Sequence, residues 1–533
     1  MKFKGAHFAL STLSGLGLYL SWPQMGFSPL VLVALVPLLW VVYSLYQSKA
    51  TKTKRLVFFY AWWSFALWNG LTGWWISLAH WSGLVAVVFI AASLHALAMV
   101  AWLQSLTHLG EKKGLLALPF LWLIPEWILR DWDMDWPWLE LGNAFAHHPK
   151  WIQWYEYTGV FGGSVWVVVA NLLILTGILR MGRGISPIRA FYTFGIWVFV
   201  PLGYSLYRYY SFDLNGEKVQ VLVVQPNIEP YTEKFEMPVG EQLTLFLREA
   251  EPYVNEETDY LIGPETLIPN GLNLDQLKQE PTLKYLESFR QNFPNLHMVL
   301  GANTIKRYTH QATNTARQLG SDGYWYDVHN TALQMSAADS IPVYHKSKLV
   351  VGAEKMPFMQ ILEPILGELV LDFGGMAGTN RTQNHREVFV HDNGKAKVAP
   401  IICWENEFGG FVTEYVRKGG SLLLVITNDG WWGDSEGHKQ HLHYARLRAI
   451  ENRRSLARSA NTGISAIINA RGDLVQTLGW EKRGVLTAEV TLNENLSFYS
   501  RYGDYVLRIG VFIGLGFLLY TLSRALKNKR AKS

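Results

Sequence analysis

The one cysteine of this chain, Cys403, stands in "PIICWE", where an apolar run ends and a thiol and the carboxylate of Glu405 follow in quick succession. Two other apolar runs end in chemistry. "LIGPET" delivers Glu265 in a loop stiffened by Pro264 and Pro269, and "YHKSKLV" delivers Lys346. A thiol attacks an acyl group as thiolate, and an ordinary pKa of about 8.5 leaves little thiolate at neutral pH. A carboxylate that takes the proton, and an ammonium that stabilises first the sulfur anion and then a tetrahedral oxyanion, would complete a set for nucleophilic acyl transfer. Taken singly, the three have plainer readings: a core thiol, a loop carboxylate and a solvated lysine. Their common placement at strand ends is what joins them, because sites in α/β domains gather at the carboxyl ends of strands.

The elements that must carry these residues lie between about 208 and 503. Short β-branched runs such as "KVQVLVVQPNI", "DYLIGPET", "KVAPIICWE" and "SLLLVITNDG" alternate with the helical stretches "EQLTLFLREAEPYV" and "HKQHLHYARLRAIENRRSLARSA". That alternation predicts an α/β domain large enough for its own core. The rest of the chain differs. Over its 533 residues 49% are hydrophobic and 17% charged, with 23 Trp, against about a quarter charged in an ordinary soluble protein. Apolar runs near 8–20, 29–46, 56–78, 83–106, 115–129, 161–179, 191–206 and 505–522 predict about eight membrane spans. The expected organisation is a membrane domain over 1–207, the α/β domain over 208–503, and a last span with a basic tail over 504–533.

Lys and Arg resist export, so their clusters orient the spans. Lys2 and Lys4, Lys49 to Arg55, Lys112 and Lys113, Arg180 to Arg189, and Arg524 to Lys532 all fall on one side of this layout. That side is expected to be cytoplasmic, with both termini, which places the α/β domain on the far side. A net charge of +5, spread over short loops, gives no stripe for nucleic acid. The lone Cys excludes an internal disulfide and a thiolate metal site.

The order Glu265, Lys346, Cys403 resembles the nitrilase (carbon-nitrogen hydrolase) superfamily. The surrounding text, "VQPNI", "PET", "YHKSKLV" with Glu354 beyond it, "CWE" and "TNDGWWGDSEGHKQHLHYARLRAIENRRSLARSANTG", resembles the apolipoprotein N-acyltransferase family within it. Trp404 stands where other members often carry Tyr, and "VVGAE" where "VPFGE" is usual.

The resemblance implies a nitrilase-like αββα sandwich fused to a polytopic helical membrane domain, with Glu265, Lys346 and Cys403 as catalytic triad. It implies an acyl donor that is a phospholipid used at its sn-1 ester, and as acceptor the α-amine of the S-diacylglyceryl cysteine that begins an exported lipoprotein. The route is a ping-pong reaction through a Cys403 thioester. The backbone N–H of Trp404 would help the oxyanion, and Glu354 and Glu405 would support the triad, Glu405 by holding Lys346. Asn428, Trp431 and Trp432 are expected to line the cleft. No cofactor and no metal are expected, the protein is expected to be a monomer, and its expected place is the bacterial inner membrane with the catalytic domain periplasmic.

Other readings stay open from sequence. Water in place of the amine would make a membrane-tethered amidase or nitrilase, and a non-catalytic lipoprotein-binding role would leave Cys403 idle. His438, His441 and His443 lack the two-histidine helical spacing typical of zinc. Arg446, Arg453 and Arg458 suit pairing with carboxylates or lipid phosphates. Glu126 and Arg130, one turn apart, read as a pair that neutralises itself.

Overall fold

The structure, a computed structural model, describes residues 2–48, 52–234, 236–320, 323–358 and 379–531. Lys49 and Lys532 of the basic clusters lie outside these. The chain divides into two compact units, 1–212 with 502–533, and 213–501.

The first unit is helical, and by length and composition five segments can cross a membrane: 28–48, 81–109, 155–182, 188–211 and 505–530. This is a multi-pass membrane protein. The expectation of about eight spans is not met on these criteria. The runs near 8–20, 56–78 and 115–129 do form helices, Lys2–Leu20, Thr53–Thr72 and Glu111–Ile128. None is apolar enough to count; the last carries Glu111, Lys112, Lys113 and Glu126.

Pro37 breaks the 28–48 segment, because proline has no N–H and its ring crowds the preceding turn. Two rungs of the helical ladder are replaced by side chains of other helices. Asn171 accepts the Leu35 N–H at 2.8 Å and donates to the Val31 carbonyl at 2.8 Å. Ser14 accepts the Leu38 N–H at 3.0 Å and donates to the Ala34 carbonyl at 2.7 Å. In lipid no water can take these backbone groups, so the substitutes hold the break together. Glu126 and Arg130 do not pair with each other. Glu126 accepts from Trp122 Nε1 at 2.9 Å and from the Leu141 N–H at 3.0 Å, while Arg130 reaches Glu140 at 2.6 Å and Asp504 at 3.4 Å.

The second unit holds two mixed sheets. The first contains β1 (Lys218–Gln225), β2 (Tyr260–Ile262), β3 (Ile268–Asn273), β4 (His297–Tyr308), β5 (Arg317–Gln318), β6 (Trp325–Met335) and β7 (Val343–His345). The second contains β8 (Phe389–Val390), β9 (Lys397–Ile402), β10 (Leu422–Thr427), β11 (Leu456–Ala460), β12 (Ser465–Ile468) and β13 (Leu474–Leu478), after which β14 (Gly484–Thr491) returns to the first beside β1. The first sheet runs β14-β1-β2-β4-β6-β5, with β3 on β4 and β7 on β6; the second runs β13-β12-β11-β10-β9-β8. The cores β1-β2-β4 and β9-β10-β11 are parallel. Their strands are covered on both faces, which is why "LLLVIT" of β10 is apolar and buried throughout.

Helices Val239–Ala250 and Pro281–Arg290 pack Leu243, Phe246, Leu283 and Leu286 onto Leu222, Leu261, Met298 and Leu300 of the first sheet. The sheets are tied where Ser459 Oγ donates to the Val224 carbonyl at 2.8 Å and Gln225 Oε1 accepts the Ser465 N–H at 2.9 Å. The carboxyl ends of β2, β7 and β9 lead directly into Glu265, Lys346 and Cys403.

Replacing Asn171 by Leu strands a backbone donor and acceptor in an apolar surround, which costs about 1–3 kcal/mol for each group. Asn171→Leu is expected to lower the thermal midpoint of the detergent-solubilised protein by several degrees, and Ser14→Ala to do so less; an unchanged midpoint for Asn171→Leu would contradict the bridging role.

Candidate active site

Lys346 is buried to 1% exposure, with its Nζ 2.9 Å from Glu265 Oε1 and 2.8 Å from Glu354 Oε2. Asn330 closes the group, its Nδ2 donating to Glu265 Oε1 at 2.7 Å and to Glu354 Oε1 at 2.8 Å. Register explains Asn330. β6 and β7 are antiparallel with Thr331 opposite His345, and the Lys346 N–H donates to the Asn330 carbonyl at 2.8 Å. The free oxygen of Glu265 accepts the Asn428 N–H, 3.1 Å away at the end of β10. Glu354 arrives from a tight turn, Gly352 at φ 79°, that its own carboxylate closes on the Val350 N–H at 2.9 Å. The departure at Val350 to Ala353 therefore still delivers Glu354 to Lys346.

Two of the delivering turns are left-handed at residues that resist it: Thr266 at φ 48° and Cys403 at φ 48°. Such conformations persist where the surroundings impose them, and they cluster at functional sites. The Glu265 turn lies hard against β4 at Gly301. A Cβ there would sit 2.5 Å from the Pro264 carbonyl oxygen and 2.6 Å from the Glu265 Cα. Cys403 opens the short helix Cys403–Glu407 directly after β9, and β9 pairs Ile402 with Ile426 of β10, so Thr427 and Asn428 follow alongside Cys403 and Trp404.

Glu405 does not touch Lys346. Its carboxylate folds back onto the Ile402 N–H at 2.9 Å and accepts the Ser347 N–H at 2.7 Å and Tyr344 Oη at 2.6 Å. It thus ties β9 to the end of β7, and reaches the lysine through the next peptide rather than by charge. Trp404 is buried, its ring edge-on to Phe408 at 6.5 Å. Trp432 is buried against His441, rings 5.6 Å apart, and the partly exposed Trp431 meets Tyr231, whose Oη donates to the Trp431 carbonyl at 3.0 Å. Of these three expected cleft residues, Asn428 alone bonds a triad candidate.

Of the histidines and arginines, His441 and Arg458 gather with Asp429 behind Cys403. His441 Nδ1 lies 3.0 Å from Asp429 Oδ1, and its Nε2 lies 3.4 Å from the Cys403 carbonyl oxygen. Arg458 pairs with the same Asp429. His438 stacks on Trp480 at 4.5 Å, and His443 contacts Arg446 at 3.2 Å. Among the described residues no three His, Cys, Asp or Glu are grouped to hold a metal ion. Arg446 and Arg453 donate to the Gly472 and Ala470 carbonyls at 2.8 and 3.3 Å, and with Arg458 they are buried, so lipid phosphate is not what holds them.

The electrostatics keep the residues in distinct states. Burial pushes the Glu265 carboxyl up, but the Lys346 ammonium, the bonds from Lys346 and Asn330, and the Lys234 charge outweigh it, and the net shift is down. Burial works against the Lys346 ammonium, yet Glu265, Glu354 and Cys403 hold it well above the usual lysine range. Burial and the Glu265 charge raise the Cys403 thiol more than Lys346 lowers it. At neutral pH the group rests as a carboxylate and an ammonium beside a protonated thiol.

The family model described as apolipoprotein N-acyltransferase N-terminal domain matches residues 14–173, and the carbon-nitrogen hydrolase model matches residues 221–495. An apolipoprotein N-acyltransferase of Chlorobaculum tepidum is 31% identical over 519 residues, covering 94% of this chain and 93% of that protein. The chain belongs to the apolipoprotein N-acyltransferase family. A second relative of that description, from Geobacter metallireducens, is 28% identical over 93% of this chain and 92% of its own length. An amidase from Nesterenkonia sp. superposes with 16% sequence identity, a TM-score of 0.37, and coverage of 55% of this chain and 97% of that one.

In this member of the family, Asn330 and Lys234 contact Glu265 without having been singled out by sequence. Asn330 sits among other polar residues of a strand, between His329 and Thr331, and Lys234 in a charged loop, and neither context signals a partner. Asp429 lies in the "NDGWWGDS" block but shows no spacing to His441 that identifies a pair.

Gly301→Ala is expected to displace the Glu265 turn and slow alkylation of Cys403 by a small thiol reagent at neutral pH by tenfold or more, as about 1 Å of misplacement typically does to a reacting pair. An alkylation rate equal to that of the unmodified protein would show that the turn yields without moving Glu265.

Proposed function

We propose that this protein transfers an acyl chain from the sn-1 ester of a phospholipid to the α-amine of the S-diacylglyceryl cysteine of an apolipoprotein, with Glu265, Lys346 and Cys403 as triad. The observation that carries the reading is the buried Glu265–Lys346–Glu354 cluster at strand ends beside the end of β9 where the sole thiol stands, in a chain matched nearly end to end by apolipoprotein N-acyltransferases. Glu265 takes the thiol proton as sulfur attacks the ester carbonyl. Lys346 and the Trp404 N–H stabilise the oxyanion. Collapse breaks the ester C–O bond, the departing lysophospholipid takes the proton from Glu265, and the acyl group remains on Cys403 as a thioester. The amine then attacks, Glu265 accepts its proton and returns one to the leaving thiolate, and an amide is released. Both half-reactions share one site, which makes the kinetics ping-pong.

Glu354 and Asn330 hold Lys346 and Glu265 in register, Glu405 fixes the backbone between them, and Asn428, Trp431 and Trp432 border the acyl path. The two mixed sheets and their helices support the αββα sandwich expected of the superfamily. The catalytic unit follows the 188–211 helix and precedes the 505–530 helix in the chain. The basic clusters support a reading with both termini in the cytoplasm and the catalytic unit in the periplasm of an inner membrane, the protein acting as a monomer without cofactor or metal.

The deciding experiment is intact mass spectrometry of the lipid-reconstituted protein. Incubation with phospholipid alone should add one acyl mass, absent in Cys403→Ala, and a diacylglyceryl-cysteine peptide should remove it and appear as its amide. Adduct lost to water with no amide would make the protein a hydrolase; no adduct would leave Cys403 without a catalytic role.

The pH dependence has a definite sign. Glu265 is held below its ordinary 4.5, so the base is present at neutral pH and is lost only as pH falls through that lowered value. Lys346 is held well above 10.5 and keeps its charge far into the alkaline range. Neither group gives a decline in acylation rate between about pH 5 and 9, and a wild-type acylation rate that falls as pH is lowered from about 7 to about 5 would contradict this assignment.

A further inference from the structure

Among the described residues two lysines are buried, Lys346 and Lys234, the second at 2% exposure. Lys234 lies in the loop between β1 and the Val239–Ala250 helix, and that loop is pinned on both sides of it: its N–H donates to the Glu229 carbonyl at 2.9 Å, and Gln242 Nε2 donates to its carbonyl at 2.6 Å. The side chain turns inward. Its Nζ donates to the Glu265 carbonyl at 3.1 Å and to Thr266 Oγ1 at 2.5 Å.

Those two acceptors flank the turn that aims Glu265. Thr266 is β-branched and left-handed, a combination that needs an external hold. Gly301 blocks the turn on one side, and Lys234 ties it on the other. The charges add a second reason. Glu265 and Glu354 against Lys346 alone leave one uncompensated negative charge in a buried group, and a Cys403 thiolate would add another. A second ammonium brings the resting group to neutrality.

We propose that Lys234 is a positioning residue for the acyl-transfer site, clamping the Glu265–Thr266 turn and supplying the positive charge against which the Cys403 thiolate forms. This rests on the transfer reading above. Burial pulls the Lys234 ammonium down to about 8 although Glu265 and Cys403 hold it up. Those two face it from the ends of β2 and β9, while Glu229 and Glu233 of its own loop are engaged with that loop's backbone. Its charge is therefore present at pH 7 and lost as pH rises through about 8, a range in which the triad itself does not titrate.

The test is single-turnover acylation of Cys403 in full-length protein, with phosphatidylethanolamine in vesicles as donor, followed by intact mass across the neutral and alkaline range. The wild-type rate should fall as pH rises through about 8. Lys234→Met should be roughly a hundredfold slower at neutral pH and lack that decline, since it loses both clamp and charge. Thr266→Val, which keeps the ammonium and loses one clamp contact, should be roughly tenfold slower and keep the decline. A Lys234→Met rate equal to wild type, or a slow Lys234→Met that retains the decline, overturns the proposal. If Lys234→Met does not fold, a wild-type rate in Thr266→Val overturns the clamp, and a wild-type profile without the decline overturns the charge. Wild-type protein that forms no adduct overturns the transfer reading itself, which these variants do not address.

Discussion

Lys346 carries its charge at 1% exposure because two carboxylates lie within 2.9 Å of its nitrogen. Removing one partner of such a buried pair typically costs about 3–5 kcal/mol, since the other charge is left in a medium that cannot solvate it. The chain must therefore bring the loop after β2, the end of β7 and the turn at Glu354 to one point, and hold them. Much of the catalytic unit can be understood as the means of doing so. β6 lays Asn330 across both carboxylates, β10 offers the Asn428 N–H to the remaining Glu265 oxygen, and Glu405 ties the end of β7 to β9. No single element supplies more than one corner.

The same constraint explains where strain is stored. Thr266 in the loop after β2 and Cys403 directly after β9 take left-handed backbone beyond strands that are buried apart from Lys397 at the start of β9. A surface loop would relax out of that conformation; a turn seated on two parallel sheet cores has nowhere to go. The sheets thus hold the Glu265 carboxylate and the Cys403 thiol in place, the kind of preorganisation that the proposed reaction would use. His441, set between Asp429 and the Cys403 carbonyl, braces the backbone of Cys403.

Glu265, Lys346 and Cys403 can be proposed from sequence because each follows a strand-like run, and strand ends are where α/β chains put chemistry; the structure brings Glu265 and Lys346 into direct contact. The five spans were readable from apolar composition sustained over enough residues, but the same reading also took in the less apolar runs near 8–20, 56–78 and 115–129. What sequence concealed depends on register and on local folding. Asn330 faces the cluster through the pairing of β6 with β7, which no nearby residue encodes. Glu405, two positions after the thiol, reads as a partner for Lys346, but the tight turn of Cys403–Glu407 carries its carboxylate back to the Ile402 N–H. Glu126 and Arg130 have ideal spacing for an ion pair, yet each finds a better partner in the irregular 128–141 connection or at Asp504. Lys234 lies among Glu229, Glu233 and Glu236, where a solvated lysine is the ordinary reading.

A ping-pong cycle asks the site to hold a negative charge twice, once as the donor ester is attacked and once as the thioester is. Between these events the sulfur is neutral. A cluster with surplus positive charge would favour the thiolate but retain it, and would resist the amine, which must arrive unprotonated. A cluster with surplus negative charge would keep the thiol from ionising. The intermediate solution is near neutrality, with a base whose carboxylate is stabilised but not locked away, and a lysine that cannot give up its proton. Glu265 with its lowered pKa and Lys346 with its raised one have those properties. Their opposite shifts come from the one pairing that burial makes necessary, so the interaction that stabilises the fold at this point also sets the proton traffic of the proposed reaction.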